Sequence, residues 1–539
     1  MNLNKTWPLF QTSHQQQLGL HVLGVVALFV LYTLGLSQSY LFDVDEGAFT
    51  EATREMLQTK DWLHTTLNGV DRFDKPIGIY WLQALSAWFM GLNEFAFRLP
   101  SAVSGFLASL AIARFANQQW GARAAWTAAI VSATSLGPWA MARTATADAL
   151  LGLFFVLIFI DLWRALQSQE RSHGRRVALW VGLGLLVKGP ISVIVPAGTL
   201  LLGVLLVPAY RQPVVRLMRD PMTWLIVVSV ALPWYLYASI RHGQLFIDGF
   251  LLKHNVERFT GSMEGHSGHW TYFVLALPLL WFPWFPFWVK GLFEFRENYK
   301  NGLLQYAWLW FIFVFVFFTL SNTKLPHYLL YAGPAMCILI CFSSLNAKHW
   351  TWVAAWLLGV LGFAAILWLP GILQAQSDLI ADSFYKALIL ESPASNMKIW
   401  LFLFPLCFLI FAGMRQIFKK YLPANDVDGQ HINFMFFACF QSVVFSLVVL
   451  PWWSAAMQSP VYQLAKKMRE VPGTVVQWGL HMPSFATYRH ALAPRREPTP
   501  GEMALVKNIT PYWPSNWVVL ETQGPLSVIQ RPQDLSVKP

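Results

Sequence analysis

The sequence predicts an α-helical polytopic membrane protein of about thirteen transmembrane helices, ending in a small extracytoplasmic α/β domain. Three observations carry that expectation. Only 12% of the 539 residues are charged, against about 25% in ordinary soluble domains, while 55% are apolar. Apolar runs of about 20 residues, the length that crosses a bilayer core, recur from residue 19 to residue 453. Beyond that point they stop, and short segments with helix and strand patterning replace them. The 27 Trp and 41 Phe suit helices lying among lipid tails and headgroups. A disordered chain, a disulfide framework and a cytosolic enzyme are excluded together. The four cysteines (Cys337, Cys341, Cys407 and Cys439) fall within apolar runs, so neither a disulfide nor a thiolate zinc site is expected.

Spans are expected near 19–36, 97–114, 124–141, 147–164, 175–187, 190–207, 222–240, 271–289, 305–320, 325–343, 351–370, 398–414 and 434–453. The first follows a polar start without an obvious small-residue cleavage site and reads as an uncleaved anchor. Ile77–Gly91 is apolar but too short to cross at 1.5 Å per residue, so it reads as an interfacial helix. Val177–Val207 is one apolar stretch interrupted by Lys188-Gly189-Pro190, with basic clusters at both ends. It should turn back as a shallow hairpin and leave Lys188 near the outer surface. Clusters such as Arg171, Arg175 and Arg176, or Arg211, Arg216 and Arg219, mark the inner side. They place the N-terminus in the cytoplasm and the tail outside. The net charge of +11 then reports orientation, not a nucleic-acid partner. The expected division is a transmembrane domain over 1–453 and an extracytoplasmic domain over 454–539. In the latter, Val461–Glu470 reads as helix, and Thr474–Trp478, Trp517–Glu521 and Leu526–Gln530 read as strands.

The outer loops at about 37–93 and 241–270 are where chemistry is expected. The first carries Asp43, Asp45, Glu46, Glu51, Glu55, Asp61, Asp71 and Asp74. A solvated face accounts for most of these acids. Asp43, Asp45 and Glu46 are crowded at the end of a span, which suits proton abstraction or metal binding. Asp148 opens an apolar run on the same side, either as a residue at the positive end of a helix or as a second working carboxylate. Lys75, Lys188, Arg258 and Lys324 also lie near the outer face. One such cation is usually a snorkelling anchor, whereas four beside acids suit an anionic, lipid-borne phosphate. His254, His266 and His269 share the second loop and read as ordinary hydrogen-bonding histidines ahead of zinc ligands. Clusters such as Trp281-Phe282-Pro283-Trp284 read as interfacial belt and packing.

A set of segments then falls in a recognisable order: Asp45-Glu46, Thr53–Leu57 (TREML), Asn68–Ser86 (NGVDRFDKPIGIYWLQALS), Asn93–Ala102 (NEFAFRLPSA), Arg143–Asp148 (RTATAD), Val187–Pro190 (VKGP), Leu232–Tyr235 (LPWY), His254–Phe259 (HNVERF) and Leu320–Leu330 (LSNTKLPHYLL). In these the chain resembles bacterial C-type (GT-C) glycosyltransferases of the protein mannosyltransferase superfamily, particularly the lipid A aminoarabinose transferase-like branch. The resemblance implies transfer of a sugar from a polyprenyl phosphate carrier, such as undecaprenyl phosphate, to an envelope acceptor on the periplasmic face of the inner membrane. It implies catalytic roles for Asp45, Glu46 and Asp148 and donor-phosphate contacts from Lys75, Arg258 and Tyr328. Asp43, Asp74, Lys188, His254 and Lys324 are expected in support. Inversion at the anomeric carbon is expected, no tightly bound cofactor is expected, and a divalent metal is left open. The acceptor is lipid A, another glycan or a protein. The sequence departs from the family pattern at Asp74, often Glu, and at Ala48 and Phe49, which are Arg and Tyr in aminoarabinose transferases. A protein O-mannosyltransferase-like enzyme is the nearest alternative. A lipid or sugar-lipid flippase is the rival class, but it calls for polar groups near the midplane and an internal repeat.

Overall fold

The structure, a computed structural model, describes residues 14–257, 268–394, 399, 403–409, 413 and 426–533. Among these residues, seven helices are long and apolar enough to cross a membrane, and the shorter apolar helices His21–Thr33 and Ile191–Leu206 accompany them. Helix α1 (His14–Thr33) leads into a segment holding α2 (Asp45–Thr59), a short hairpin of β1 (Thr66–Leu67) and β2 (Val70–Asp71), and α3 (Gly78–Met90). As expected, α3 is too short to span, at about 20 Å. It leaves Trp88, Phe89 and Met90 exposed, as an interfacial helix would. Helix α4 (Glu94–Trp120) starts where the Asn93 side chain accepts the Ala96 N–H and ends at Gly121. The expected span at 398–414 lies largely outside the described residues.

Two expected spans are broken, and proline explains both. The run 124–141 divides into α5 (Ala122–Thr134) and α6 (Leu136–Met141) at the extended Ser135. In a continuous helix the Pro138 ring would meet the carbonyl four residues back. The freed Leu136 N–H donates to the Phe282 carbonyl instead. The run 271–289 likewise divides into Tyr272–Leu280 and Phe285–Phe293, on either side of Pro283. The remaining helices follow the expected order through α7 (Asp148–Gln167), α8 (Arg171–Lys188), α9 (Ile191–Leu206), the basic α10 (Arg211–Arg219) and α11 (Pro221–His242). The α8–α9 hairpin turns at Gly189, whose φ of +72° and close contact with the Phe250 ring both exclude a side chain.

The C-terminal region is roofed by a four-stranded sheet in the order β3 (Val475–Gln477), β4 (Met503–Lys507), β6 (Leu526–Gln530), β5 (Val518–Gln523). Strands β3 and β4 run parallel and the other pairs antiparallel. The sequence patterning foresees three of these strands and misses β4, a central strand buried on both faces that therefore lacks alternation. Leu464, Ala465 and Met468 pack with Val475, Leu505 and Val528. One helical run, Gly429–Met468, crosses position 453 without a break, so no linker separates the sheet region from the bundle.

Candidate active site

Consecutive helical residues point about 100° apart, and α2 uses this to separate its two leading acids. Asp45 faces solvent while Glu46 turns inward and is fully buried. Arg98 of α4 donates to Glu46 through Nε at 2.8 Å and Nη2 at 2.7 Å, and the Phe42 and Ala145 N–H groups donate at 2.9 and 2.7 Å. Arg98 also reaches the Leu36, Ser39 and Tyr40 carbonyls, tying the chain leaving α1 to α4. Glu46 is thus saturated by structural partners and has no lone pair left for a substrate, which corrects its expected catalytic role. Other loop acids are similarly occupied. Glu51 pairs with Arg54 at 2.7 Å, and Glu55 accepts the Asn68 and Gly69 N–H groups at the hairpin turn. Asp43 accepts from Ser484 N at 2.9 Å and Ser484 Oγ at 2.5 Å, so it joins the sheet region to the loop and does not line the rim site. Burial pushes its carboxyl up to about 7, and the nearby Glu46 charge adds to the rise against the Ser484 hydrogen bonds. Gly47 permits this seam, because a Cβ there would overlap Asp43 Oδ1 and Ser484 N.

The remaining charges gather at the same end of the bundle. Arg72 donates to Tyr80 Oη at 3.2 Å, pairs with Asp74 at 3.0 Å and lies 5.6 Å over the Phe49 ring. Asp45 lies within its electrostatic reach. Lys75 donates to the Asp74 carbonyl at 3.0 Å and, with Lys188 and His327, acts on Asp148. Asp148 starts α7, Lys188 ends α8, and the two form an ion pair. Tyr331 completes the group, with its hydroxyl 3.5 Å from Asp148 and its ring 5.4 Å from the Lys188 ammonium. Tyr328 is buried against Phe318 and Tyr331. The structure therefore brings Asp45, Asp74, Lys75, Asp148, Lys188 and Tyr328 into one neighbourhood assembled from α2, the hairpin, α7, α8 and the segment after residue 320.

Lys324 has another task. Its ammonium donates to the Thr319 and Ser321 carbonyls at 2.6 and 2.5 Å and reaches the Phe318 carbonyl at 3.4 Å, capping helix Gly302–Leu320. A cation is favoured at that negative helix end, and with its three donors engaged Lys324 is corrected from phosphate support to helix cap. Arg258 and His266 lie outside the described residues, as does the side chain of His254. His269 bonds Thr271 at 3.0 Å, an ordinary loop contact. A small open pocket beside this group is lined by Arg72 and Lys75 together with Phe73, Trp234 and Phe246. Cations against aromatics suit an anionic head attached to a hydrocarbon chain.

Residues 74–237 match the family described as dolichyl-phosphate-mannose-protein mannosyltransferase. Undecaprenyl phosphate-alpha-4-amino-4-deoxy-L-arabinose arabinosyl transferases are similar in sequence. The Serratia proteamaculans protein is 26% identical over 350 residues, 63% of this chain and 62% of the relative. The Aeromonas hydrophila protein is 27% identical over 352 residues, 62% and 63% respectively. The chain thus matches just under two thirds of those relatives' length. The fold is that of the crystal structure of ArnT from Cupriavidus metallidurans bound to undecaprenyl phosphate, with a TM-score of 0.79 at 19% identity over 97% of this chain and 99% of that one. In sequence and in fold the chain is thus similar to aminoarabinose transferases. Sequence reasoning overlooked Arg72 and Tyr331. Arg72 stands inside the quoted Asn68–Ser86 segment, two residues before Asp74, and that adjacency was the available signal. Tyr331 gave no signal, because its place beside Asp148 and Lys188 arises only when separate helices meet.

Proposed function

We propose that this chain transfers a sugar from a polyprenyl phosphate carrier to an envelope acceptor at the periplasmic face of the inner membrane. The observation that supports it best is the continuous row of charge from Asp45 through Arg72, Asp74 and Lys75 to Asp148 and Lys188, beside a cavity with an aromatic wall. The positive-inside pattern puts the N-terminus in the cytoplasm and this row outside. The carrier phosphate lies against Lys75, with Arg258 and Tyr328 as further contacts, and its charge grows as the bond from phosphate oxygen to anomeric carbon breaks. Asp45 is the exposed acid of the row that no ion pair occupies among the described residues, and it takes the proton of an acceptor hydroxyl while the new bond from acceptor oxygen to anomeric carbon forms. For an ionised phosphate acceptor no proton moves, and Asp45 orients it. Direct displacement gives inversion. Asp148 and Lys188 hold one another and present the Lys75 side of the site.

The acceptor reading rests on the resemblance to the lipid A aminoarabinose transferase-like branch and is lipid A, with a glycan or a protein as the other acceptors. The test is sugar transfer from a radiolabelled polyprenyl phosphate sugar by the purified chain in detergent. Asp45→Asn should abolish transfer while membrane insertion is unchanged, and transfer at the normal rate would overturn the assignment. Mass spectrometry of lipid A, envelope glycans and exported proteins from cells with and without the chain names the sugar and the acceptor together. An unchanged mass in all three fractions would refute the reading.

A further inference from the structure

Beside the phosphate side of the cavity lies a second constellation that the transfer chemistry does not use. His64 sits just before β1, Asp71 ends β2, and His242 is the last residue of α11. Each offers one ligand atom, and the three atoms lie within 4.8 Å of one another. His64 Nε2 is 2.9 Å from Asp71 Oδ1, His242 Nδ1 is 3.4 Å from Asp71 Oδ2, and the two imidazole centres are 4.2 Å apart. In a tetrahedral site with metal–ligand distances of about 2.0–2.1 Å, neighbouring ligand atoms stand about 3.3 Å apart. The two spacings to Asp71 are therefore already close to those of ligands sharing one ion, and the two histidine nitrogens lie within 4.8 Å of each other.

The hydrogen-bond inventory points the same way. Both histidine side chains are about nine-tenths buried, and His242 Nε2 is buried with no partner among the described residues. If His242 carries its proton on Nδ1, the bond to Asp71 is long and the Nε2 lone pair is stranded. If the proton is on Nε2, that N–H is stranded and the Nδ1 lone pair faces a carboxylate oxygen. A cation bound at Nδ1 removes the repulsion between that lone pair and the Asp71 carboxylate. The surroundings hold the ligands in place. Trp234 of α11 donates to the Leu63 carbonyl at 3.0 Å, and Arg241 reaches Asp61 at 2.7 Å, so the hairpin and the end of α11 are fixed to each other on both sides of the cluster.

We propose that His64, Asp71 and His242 bind a divalent cation of the zinc class. Asp71, whose side chain is 45% exposed, gives the ion access to solvent, which leaves its fourth position open to water. Two neutral imidazoles and one carboxylate suit zinc better than magnesium or calcium, which prefer oxygen ligands throughout. The ion pins the β1–β2 hairpin, which leads directly into Arg72, Asp74 and Lys75, onto α11. It also adds positive charge to a cavity wall that His64 and His242 share with Arg72 and Lys75.

The test uses the full chain, purified in detergent without a histidine tag, stripped with EDTA and dialysed against zinc. Elemental analysis should return about one zinc per chain, lost in His64→Asn/His242→Asn, and zinc should raise the melting temperature of the stripped wild type but not of the double variant. Cobalt substitution should give the visible bands of a four-coordinate ion in wild type alone. If the double variant does not fold, the comparison between stripped and reloaded wild type decides alone. Absence of both a bound ion and a zinc-dependent melting shift in wild type would overturn the proposal, as would equal zinc in wild type and a folded double variant. None of these readings depends on sugar transfer.

Discussion

Two carboxylates near the outer rim, Glu46 and Asp148, each meet a cation from another helix, yet they do different work. Glu46 is enclosed, and the Arg98 fork and two backbone N–H groups use its oxygens fully. Asp148 has Lys188 on one oxygen and a distant Tyr331 hydroxyl, and Lys75 and His327 act on it from the site. The first pair fixes the exit of α1 against α4. The second joins the start of α7 to the end of α8 with fewer hydrogen bonds to its carboxylate. The lesson is that the number of partners a carboxylate already holds separates these two acids, whereas charge and closeness to the rim do not.

That contrast is breakable, starting with the largest effect. Asp45→Asn should lower the transfer rate by about 10²–10⁴-fold, the scale of a lost general base, with the melting temperature unchanged. Arg98→Ala should do the reverse. It strands a buried Glu46 at a cost of about 3–5 kcal/mol, seen as loss of folded chain on size exclusion with donor chemistry untouched in what survives. Lys75→Ala should slow transfer by about 10²–10³-fold and weaken dependence on the lipid donor, read from initial rates at varied donor concentration. Lys324→Ala should cost about 1 kcal/mol through the lost helix cap and leave donor dependence unchanged, which a thermal melt beside the same rate assay checks.

The smallest effect sharpens the seam between loop and sheet. Burial raises the Asp43 carboxyl from its ordinary value near 3.8 to about 7. The folded chain therefore binds a proton there that the unfolded chain has released. The resulting stabilisation is full below about pH 4, declines as pH rises and is gone above about pH 7. Asp43→Asn should flatten that part of the slope in melting temperatures taken at pH 5 and pH 8.

Much of the architecture was legible because hydropathy is a local property. The interfacial α3, the α8–α9 turn and most span positions follow from run length, proline, glycine and flanking charge. The breaks at Ser135 and Pro283 were legible in principle, since Pro138 follows the first by three residues and Pro283 makes the second, and a run-length reading passes over both. Strand β4 was not, because a strand buried on both faces reads as a short apolar run with no alternation. The site was legible as a list of charged residues in one loop and its neighbours. The list overstated Glu46, whose partners come from elsewhere in the fold, and Lys324, which caps the helix just before it, and passed over Arg72, Tyr331 and the His64–Asp71–His242 cluster.

Composition and order along the chain alone determined that this protein spans a membrane many times and which of its acids and cations are candidates for a site. They did so because lipid tolerates few charges and the exceptions stand out. Tertiary structure decided which of those charges are free to act. Glu46 meets Arg98 across 52 positions and Asp148 meets Lys188 across 40, and an acid's remaining hydrogen-bonding capacity depends on such distant partners, which no local pattern records.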